Sequence, residues 1–397
     1  MEETHKQAGV FLELRQHLQS GLLVLRTDVA GDPAEVTVSG GDSFLQIKMP
    51  TGMLPVVLPP GVALTEGSCR EVSNTREEGL HLRLRLQVNQ HTEAPESMMR
   101  ILQVKKSYCF SCQRCRAQVL TKRVFQRVLP LPNGNWNTLV EDWCCHPDPF
   151  ANRKLLPRPG DCLLGDTYFL LLRDSECDQT LRQEPSNAHT DTGHNQGPAQ
   201  KPSRMTLVLC RACGAVLGET LAAETLKLYI TELMVKRSDE DGEAISNEHR
   251  WLFLEQTVAA RLVELSSTQS IFRFSLQTPN GKAFILLWLL NTDSLVASLS
   301  LPVVSGDASI SPGDDVSVRA EHLSCGASSA VKVLYLPCAP GLHQDITDAW
   351  EKDVSVHPLI LPQTTCQEVM ELLTSSTSSL PPSLRSMNCY QVAFMRL

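Results

Sequence analysis

The chain has 397 residues, 42% of them apolar, which is enough for two or three domains with hydrophobic cores and points to a globular and not a disordered protein. Its formal net charge of −8, from 36 Lys and Arg against 44 Asp and Glu, argues against a general nucleic-acid surface, so the expected partners are proteins. The start MEETHKQAGV lacks the apolar stretch of a secretory signal, so the 14 cysteines are expected to be reduced; the longest apolar run, AFILLWLL, falls well short of a membrane span.

In chain order, EVTVSG and FLQIKM within residues 35–49 predict two strands. HLRLRLQV at 81–88 alternates Leu82, Leu84, Leu86 and Val88 with polar residues, as a half-buried strand does. LEQTVAARLVEL sets Leu254, Val258, Leu262 and Leu265 on one stripe and predicts a helix. FRFSLQ and KAFILLWLL flank Pro279, Asn280 and Gly281 as the arms of a hairpin, and KVLYLP at 332–337 is a further strand. The fold class is therefore β-rich α+β. Residues 174–203 hold almost no large apolar side chain and predict a disordered linker or insertion between an N-terminal unit, 1–173, and a C-terminal unit, 204–397. His189 and His194 within it are expected to be solvated.

The phrase CQRCRAQVL at 112–120 returns as CRACGAVLG at 210–218. A structural zinc ion takes four thiolates in a tetrahedron, and one CxxC turn delivers two of them. Cys112, Cys115, Cys210 and Cys213 are thus expected to form one zinc-ribbon-like site of four cysteines that joins the two sheet-containing units. Cys109, in CFSCQRC, is an alternative to Cys112 or Cys115. No thioredoxin-like βαβ pattern surrounds either pair to support a redox role.

Two other stretches carry chemistry-bearing residues. NWNTLVEDWCCHPDPFANRKL at 135–155 combines Trp136, Trp143, Cys144, Cys145, His146 and prolines, a composition suited to a stiff loop. In LPQTTCQEVMELL at 361–373, Thr365 followed by Glu368 reads as a capping box, which puts Cys366 in the first turn of a helix, where a thiolate is favoured. Cys338 and Cys389 are weaker candidates for a reactive thiol.

The CxxC pair, WCCHPDPFAN, WLLNTDSLV at 288–296 and SVHPLILPQTTC together resemble the HECT-like ubiquitin ligase family that binds ubiquitin-conjugating enzymes. That resemblance implies a protein that accepts ubiquitin from a conjugating enzyme and promotes its transfer to substrates, with cyclin-type substrates and a cytoplasmic and nuclear location. It casts Cys366, 31 residues from the chain's end, as the catalytic thiol, and Phe394, fourth from the end, as an aid to transfer. Residues 222–240 are the expected docking surface for the conjugating enzyme. The resemblance also implies an alternative, non-catalytic role. In it, the loop within 130–160 enters the active site of the pre-mRNA cleavage and polyadenylation endonuclease, and Cys145, or its neighbour Cys144, binds the nuclease's zinc.

Overall fold

The alternation in HLRLRLQV is realised in the strand Gly79–Val88, where Leu82, Leu84 and Leu86 are buried and Arg83, Arg85 and Gln87 face water. The computed structural model describes residues 9–50, 52–75, 79–89, 101–132, 155–185, 206–222, 224–238, 249–299, 325–339 and 341–397. Its central sheet runs, in spatial order, through Ser386–Met387, Tyr390–Arg396, Ser328–Pro337, Ala283–Leu299, Val10–Arg15, Ser20–Leu25, Gly79–Val88 and Val62–Leu64. Arg273–Gln277, His357–Ile360 and Arg70–Thr75 attach to this path.

The long strand Ala283–Leu299 is the spine of the sheet. Ile285, Leu287 and Leu289 from its first half pack under the helices Arg250–Gln269 and Gln363–Ser379, together with Leu254, Val258, Leu262 and Leu265 of the expected stripe. Leu295 and Ala297 from its second half join a different core, shared with Val10–Arg15, Gly79–Val88 and a small sheet that contains Thr37–Gly41, Phe44–Met49 and Gly52–Val57. Between the halves the apolar run breaks at Asn291–Asp293, and there the pairing with Ser328–Pro337 slips register twice. Bulges of this kind bend a strand where its side chains must change partners. The expected hairpin is present: Arg273–Gln277 pairs antiparallel with the start of the spine, and Gly281 takes the left-handed conformation that closes the turn.

A third core holds the middle of the chain. A seven-stranded sheet, ordered Arg127–Pro130, Asp161–Leu164, Tyr168–Leu172, Thr225–Tyr229, Val216–Ala222, Thr206–Cys210 and Leu181–Pro185, shares it with the three strands Gln118–Val124, Ser107–Cys112 and Leu233–Arg237.

Two expectations about organisation change. Part of the segment read as disordered is ordered: Ser175–Thr180 is a helix whose first turn is capped by Asp174, and Leu181–Pro185 pairs with Thr206–Cys210. Few apolar side chains are needed there, because Cys177 and Leu181 reach the core and the backbone ladder supplies the rest. Residues 186–205, with His189 and His194, lie outside the described residues. The division into 1–173 and 204–397 also gives way, because strand pairing crosses it. Tyr168–Leu172 pairs with Thr225–Tyr229, and Val10–Arg15 with the spine. No helix among the described residues is long and apolar enough to cross a membrane.

The middle core is fastened to the helix Arg250–Gln269 and the strand His357–Ile360 by polar contacts. Asp166 accepts from Arg261 at 2.5 Å and meets His357 at 2.9 Å, and the Thr167 hydroxyl donates to the Ile360 carbonyl. Burial opposes ionisation of Asp166, but His357 and Arg261 outweigh it and hold the carboxyl below its usual range.

Candidate metal centre and the buried tail thiol

Each CxxC phrase sits at the tip of a β-hairpin, and the two tips have the same backbone. In the first, the Cys112 N–H donates to the Ala117 carbonyl at 2.8 Å and the Arg116 N–H to the Cys112 carbonyl at 2.9 Å. In the second, Cys210 donates to Ala215 and Gly214 to Cys210, both at 2.8 Å. The residue after each second cysteine, Arg116 at φ 64 and Gly214 at φ 73, adopts the left-handed conformation that the turn requires. Glycine does so without strain and arginine at some cost. The repeated phrase is thus a repeated turn.

The two tips face each other. The four sulfurs lie within 4.8 Å of one another, with Cys112 to Cys213 at 3.8 Å and Cys115 to Cys210 at 3.7 Å. A tetrahedral ion with bonds of about 2.3 Å holds its ligands about 3.8 Å apart, so these residues fit a single metal ion. Cys112 and Cys210 are buried, Cys115 and Cys213 exposed. Burial raises the Cys112 and Cys115 thiols above the ordinary value. Burial also opposes ionisation of Cys213, but the Ala215 backbone and the other three thiols outweigh it and lower that group. Cys109 is not part of the cluster. Along Ser107–Cys112 the side chains alternate, so Cys109 turns to the face opposite Cys112 and meets the Ser238 hydroxyl at 3.3 Å.

All four thiols belong to one module. Cys112 and Cys210 are both members of the middle core, so the clamp ties two hairpins of that core and does not join separate units. The first tip also reaches outward. The Gln113 N–H donates to the Glu232 carbonyl at 3.0 Å, and Arg114 meets Glu368 at 3.3 Å. The side-chain amide of Gln113 is buried with no hydrogen-bond partner among the described residues. An unpaired amide costs about 1–3 kcal/mol. Gln113→Met is therefore expected to raise stability by about 1 kcal/mol, read as a higher denaturation midpoint with an unchanged slope.

Cys366 lies outside that cluster, on the helix Gln363–Ser379. The helix begins two residues before Thr365, with Pro362 at its N-cap, and the expected capping box does not form. The Thr365 hydroxyl instead donates to Glu232 at 2.7 Å, and Glu368 turns to Arg250 at 2.6 Å. Cys366 is 0% exposed within the core beneath the two helices, and burial pushes its thiol up to about 12. Thioester exchange needs an accessible thiolate, and this conformation offers neither access nor ionisation. Phe394 is likewise buried, its ring 5.9 Å from that of Phe11.

The expected docking surface within 222–240 is largely interior. Thr225–Tyr229 is a central strand buried at every position, and its Lys227 pairs with Glu219 at 2.5 Å and lies over the Tyr168 ring. Cys144, Cys145, His146 and the tryptophans of the 130–160 loop lie outside the described residues.

Sequence reading missed the polar cluster between the clamp and the tail helix. Arg250 binds Glu232 at 2.8 Å and Glu368 at 2.6 Å and donates to the Thr231 carbonyl. These residues are spread over more than a hundred positions of sequence, and no local pattern joins them.

The geometry defines a strand-rich scaffold braced by a four-thiol clamp, with its tail thiol sealed inside. Over residues 13–392 the chain matches the family described as HECT-like ubiquitin-conjugating enzyme (E2)-binding, and it belongs to that family. It is 40% identical over 395 residues to the E3 ubiquitin-protein ligase E3D of Bos taurus, covering 98% of both chains. To the protein of that name from Homo sapiens it is 39% identical over 402 residues, covering 100% of each. An uncharacterised protein of Saccharomyces cerevisiae is 24% identical over 145 residues, 34% of this chain and 36% of its own. No solved structure matches.

Proposed function

We propose that this chain binds a ubiquitin-conjugating enzyme and promotes transfer of ubiquitin from it to substrate proteins. The observation that carries this reading is the family match, which runs through nearly the whole chain, alongside relatives named as ubiquitin ligases that align from end to end. Zinc is the proposed ion of the Cys112, Cys115, Cys210 and Cys213 site, because four thiolates in a tetrahedron suit it and leave no open position for a reacting ligand. Its role is to hold the hairpin tips, and through them the surfaces that meet the partner. Cyclin-type substrates and a cytoplasmic and nuclear location belong to the same proposal and rest on the resemblance alone.

The burial of Cys366 favours direct transfer from the conjugating enzyme to the substrate, with the ligase as the holder of both. Transfer through a Cys366 thioester requires the first turn of the tail helix to leave its core. A conjugating enzyme charged with ubiquitin and mixed with this chain should discharge faster than alone, and the two proteins should co-elute. No co-elution and no faster discharge would refute the reading. The Cys366→Ala protein is expected to keep its discharge rate and to show no lost reducible adduct on non-reducing gels. A ubiquitin adduct that is present in the parent chain and absent from Cys366→Ala establishes the thioester route instead.

The inhibitor reading rests on Cys145 and Cys144 and on the resemblance. Its test is nuclease inhibition by the full chain and by Cys145→Ser.

A further inference from the structure

On one face of the central sheet, away from the four-cysteine clamp, an open-sided cavity of about 280 Å3 is walled by Glu13, Arg15, Ser20, Gly21, Leu22 and Arg83. Its charges are unbalanced. The Glu13 carboxylate is already engaged by Lys332, at 3.0 and 3.1 Å to its two oxygens, and by Arg15 at 3.2 Å. Lys332 and Arg15 thus share one carboxylate, while Arg83 lines the same cavity with no carboxylate partner among the described residues, a local surplus of positive charge in a chain whose formal net charge is −8.

The excess is built into the strand register. Arg83 stands directly opposite Arg70 on the neighbouring strand, and both are exposed. Like charges placed opposite each other across a sheet repel, and here no carboxylate among the described residues pairs with either guanidinium. Arg85 follows on the same face, opposite Ser20. Arg15 uses its Nε for Glu13, and its terminal nitrogens have no partner among the described residues. Directly across from Arg15, Ser294 is 1% exposed, and its hydroxyl has no hydrogen-bond partner among the described residues. Arg70 and Arg83 repel with no carboxylate partner among the described residues, and Arg15 stands opposite the unsatisfied Ser294 hydroxyl, so this face offers donors to a ligand that the chain does not itself supply.

We propose that this cavity binds a phosphoryl group carried on a side chain of an extended peptide segment. A phosphoryl group brings about −1.5 to −2 charge and three acceptor oxygens, which suits the surplus of positive charge and the guanidinium donors of Arg15 and Arg83. Arginine forks suit it better than a single carboxylate. The volume falls just below the usual range of about 300–1,000 Å3 for drug-sized ligands, so it holds one modified side chain and not a folded element. No aromatic side chain among the described residues lines the cavity to stack a base, which favours a peptide over nucleic acid. The arginines continue outward to the marginal strand Arg70–Thr75, along which a peptide can lie. This inference is independent of the ligase reading, since binding is measured with no conjugating enzyme present.

The test is isothermal titration of the full chain at low salt with three probes: Ala-Ala-phosphoserine-Ala-Ala, its serine counterpart and inorganic phosphate. The phosphopeptide is expected to bind, the serine peptide not to, and phosphate to compete. Arg83→Gln, an exposed substitution that leaves the core intact, is expected to weaken phosphopeptide binding about tenfold, the equivalent of one charge-assisted contact. Arg182→Gln, on a strand of the other sheet, is expected to change nothing. Equal binding of both peptides, phosphopeptide binding that survives Arg83→Gln, or binding of free phosphate without the phosphopeptide would each overturn the proposal. So would a single-stranded oligonucleotide that binds through the same arginine more tightly than the phosphopeptide.

Discussion

Cys112→Ser and Cys210→Ser proteins are expected to lose the ion proposed for the clamp and more than about 4 kcal/mol of stability, beyond the range of ordinary single substitutions. The two thiols are buried members of the middle core, so serine at either position loses a metal ligand and also buries a hydroxyl in an apolar setting. In small peptides that fold only around zinc, the ion supplies on the order of 10–16 kcal/mol. This chain has an independent core beneath the clamp, so the loss is smaller and the protein does not unfold outright. Cys115→Ser and Cys213→Ser act at exposed positions and should cost less. Elemental analysis of the purified proteins and their thermal midpoints measure both parts of the expectation. A protein that carries no ion and unfolds at the same temperature with or without a chelator removes the clamp from the account of stability.

The same experiment has a readout at a distance. The first hairpin tip reaches the tail helix through Arg114 and Glu368 and touches Glu232 through the Gln113 N–H. Glu232 in turn accepts from Thr365, the residue before the buried tail thiol. Slackening the tip removes supports from the first turn of that helix. In the intact protein Cys366 is expected to resist an alkylating reagent near pH 8, because burial holds its thiol near 12. After chelation its alkylation, followed by mass spectrometry, should rise ahead of global unfolding. Simultaneous exposure of Cys366 and every other buried thiol would mean that the clamp and the tail are one cooperative unit.

Local pattern was a good guide where local chemistry decides the outcome. Leu254, Val258, Leu262 and Leu265 lie on the buried stripe their spacing implies, and the two CxxC phrases build the same turn and bring their sulfurs together. Pairing between distant strands was not legible. VFLELR at 10–15 sits between its neighbour in sequence and the spine strand almost three hundred residues away, and any strand with the same alternation fits that slot equally well on pattern alone. The expected docking segment is interior for reasons that no local pattern shows. Lys227 and Glu232 within ETLKLYITELMVKR look like marks of a solvated surface, yet Glu219 and Arg250 neutralise them inside the protein. The tail phrase LPQTTC predicted a helix start correctly, but tertiary partners took both halves of the expected capping box.

Arg250→Ala is the second large effect, expected to cost about 3–5 kcal/mol, the range for leaving a buried charge without its partner. The Glu232 side chain is 3% exposed, and Arg250 is the cation that answers it. Burial disfavours the charged guanidinium, but Glu232 and Glu368 outweigh this and raise its pKa. Once the arginine is gone, Glu232 keeps, among the described residues, only the hydroxyls of Thr365 and Thr231, at 2.7 and 3.2 Å, to stabilise a full charge. Glu368 suffers less, since it is more exposed and retains Arg114. Arg250→Lys should fall between, because an ammonium on a flexible stem cannot reproduce the fork that spans two carboxylates and the Thr231 carbonyl. The informative comparison is Arg250→Met combined with Glu232→Met. If the penalty comes from an orphaned charge, removing both partners should cost much less than removing Arg250 alone, and a thermodynamic cycle from urea denaturation will show strong coupling. If the two single losses simply add, the cluster is hydrated in solution, and the tail helix is held against the middle core by apolar packing and the Asp166 contacts instead.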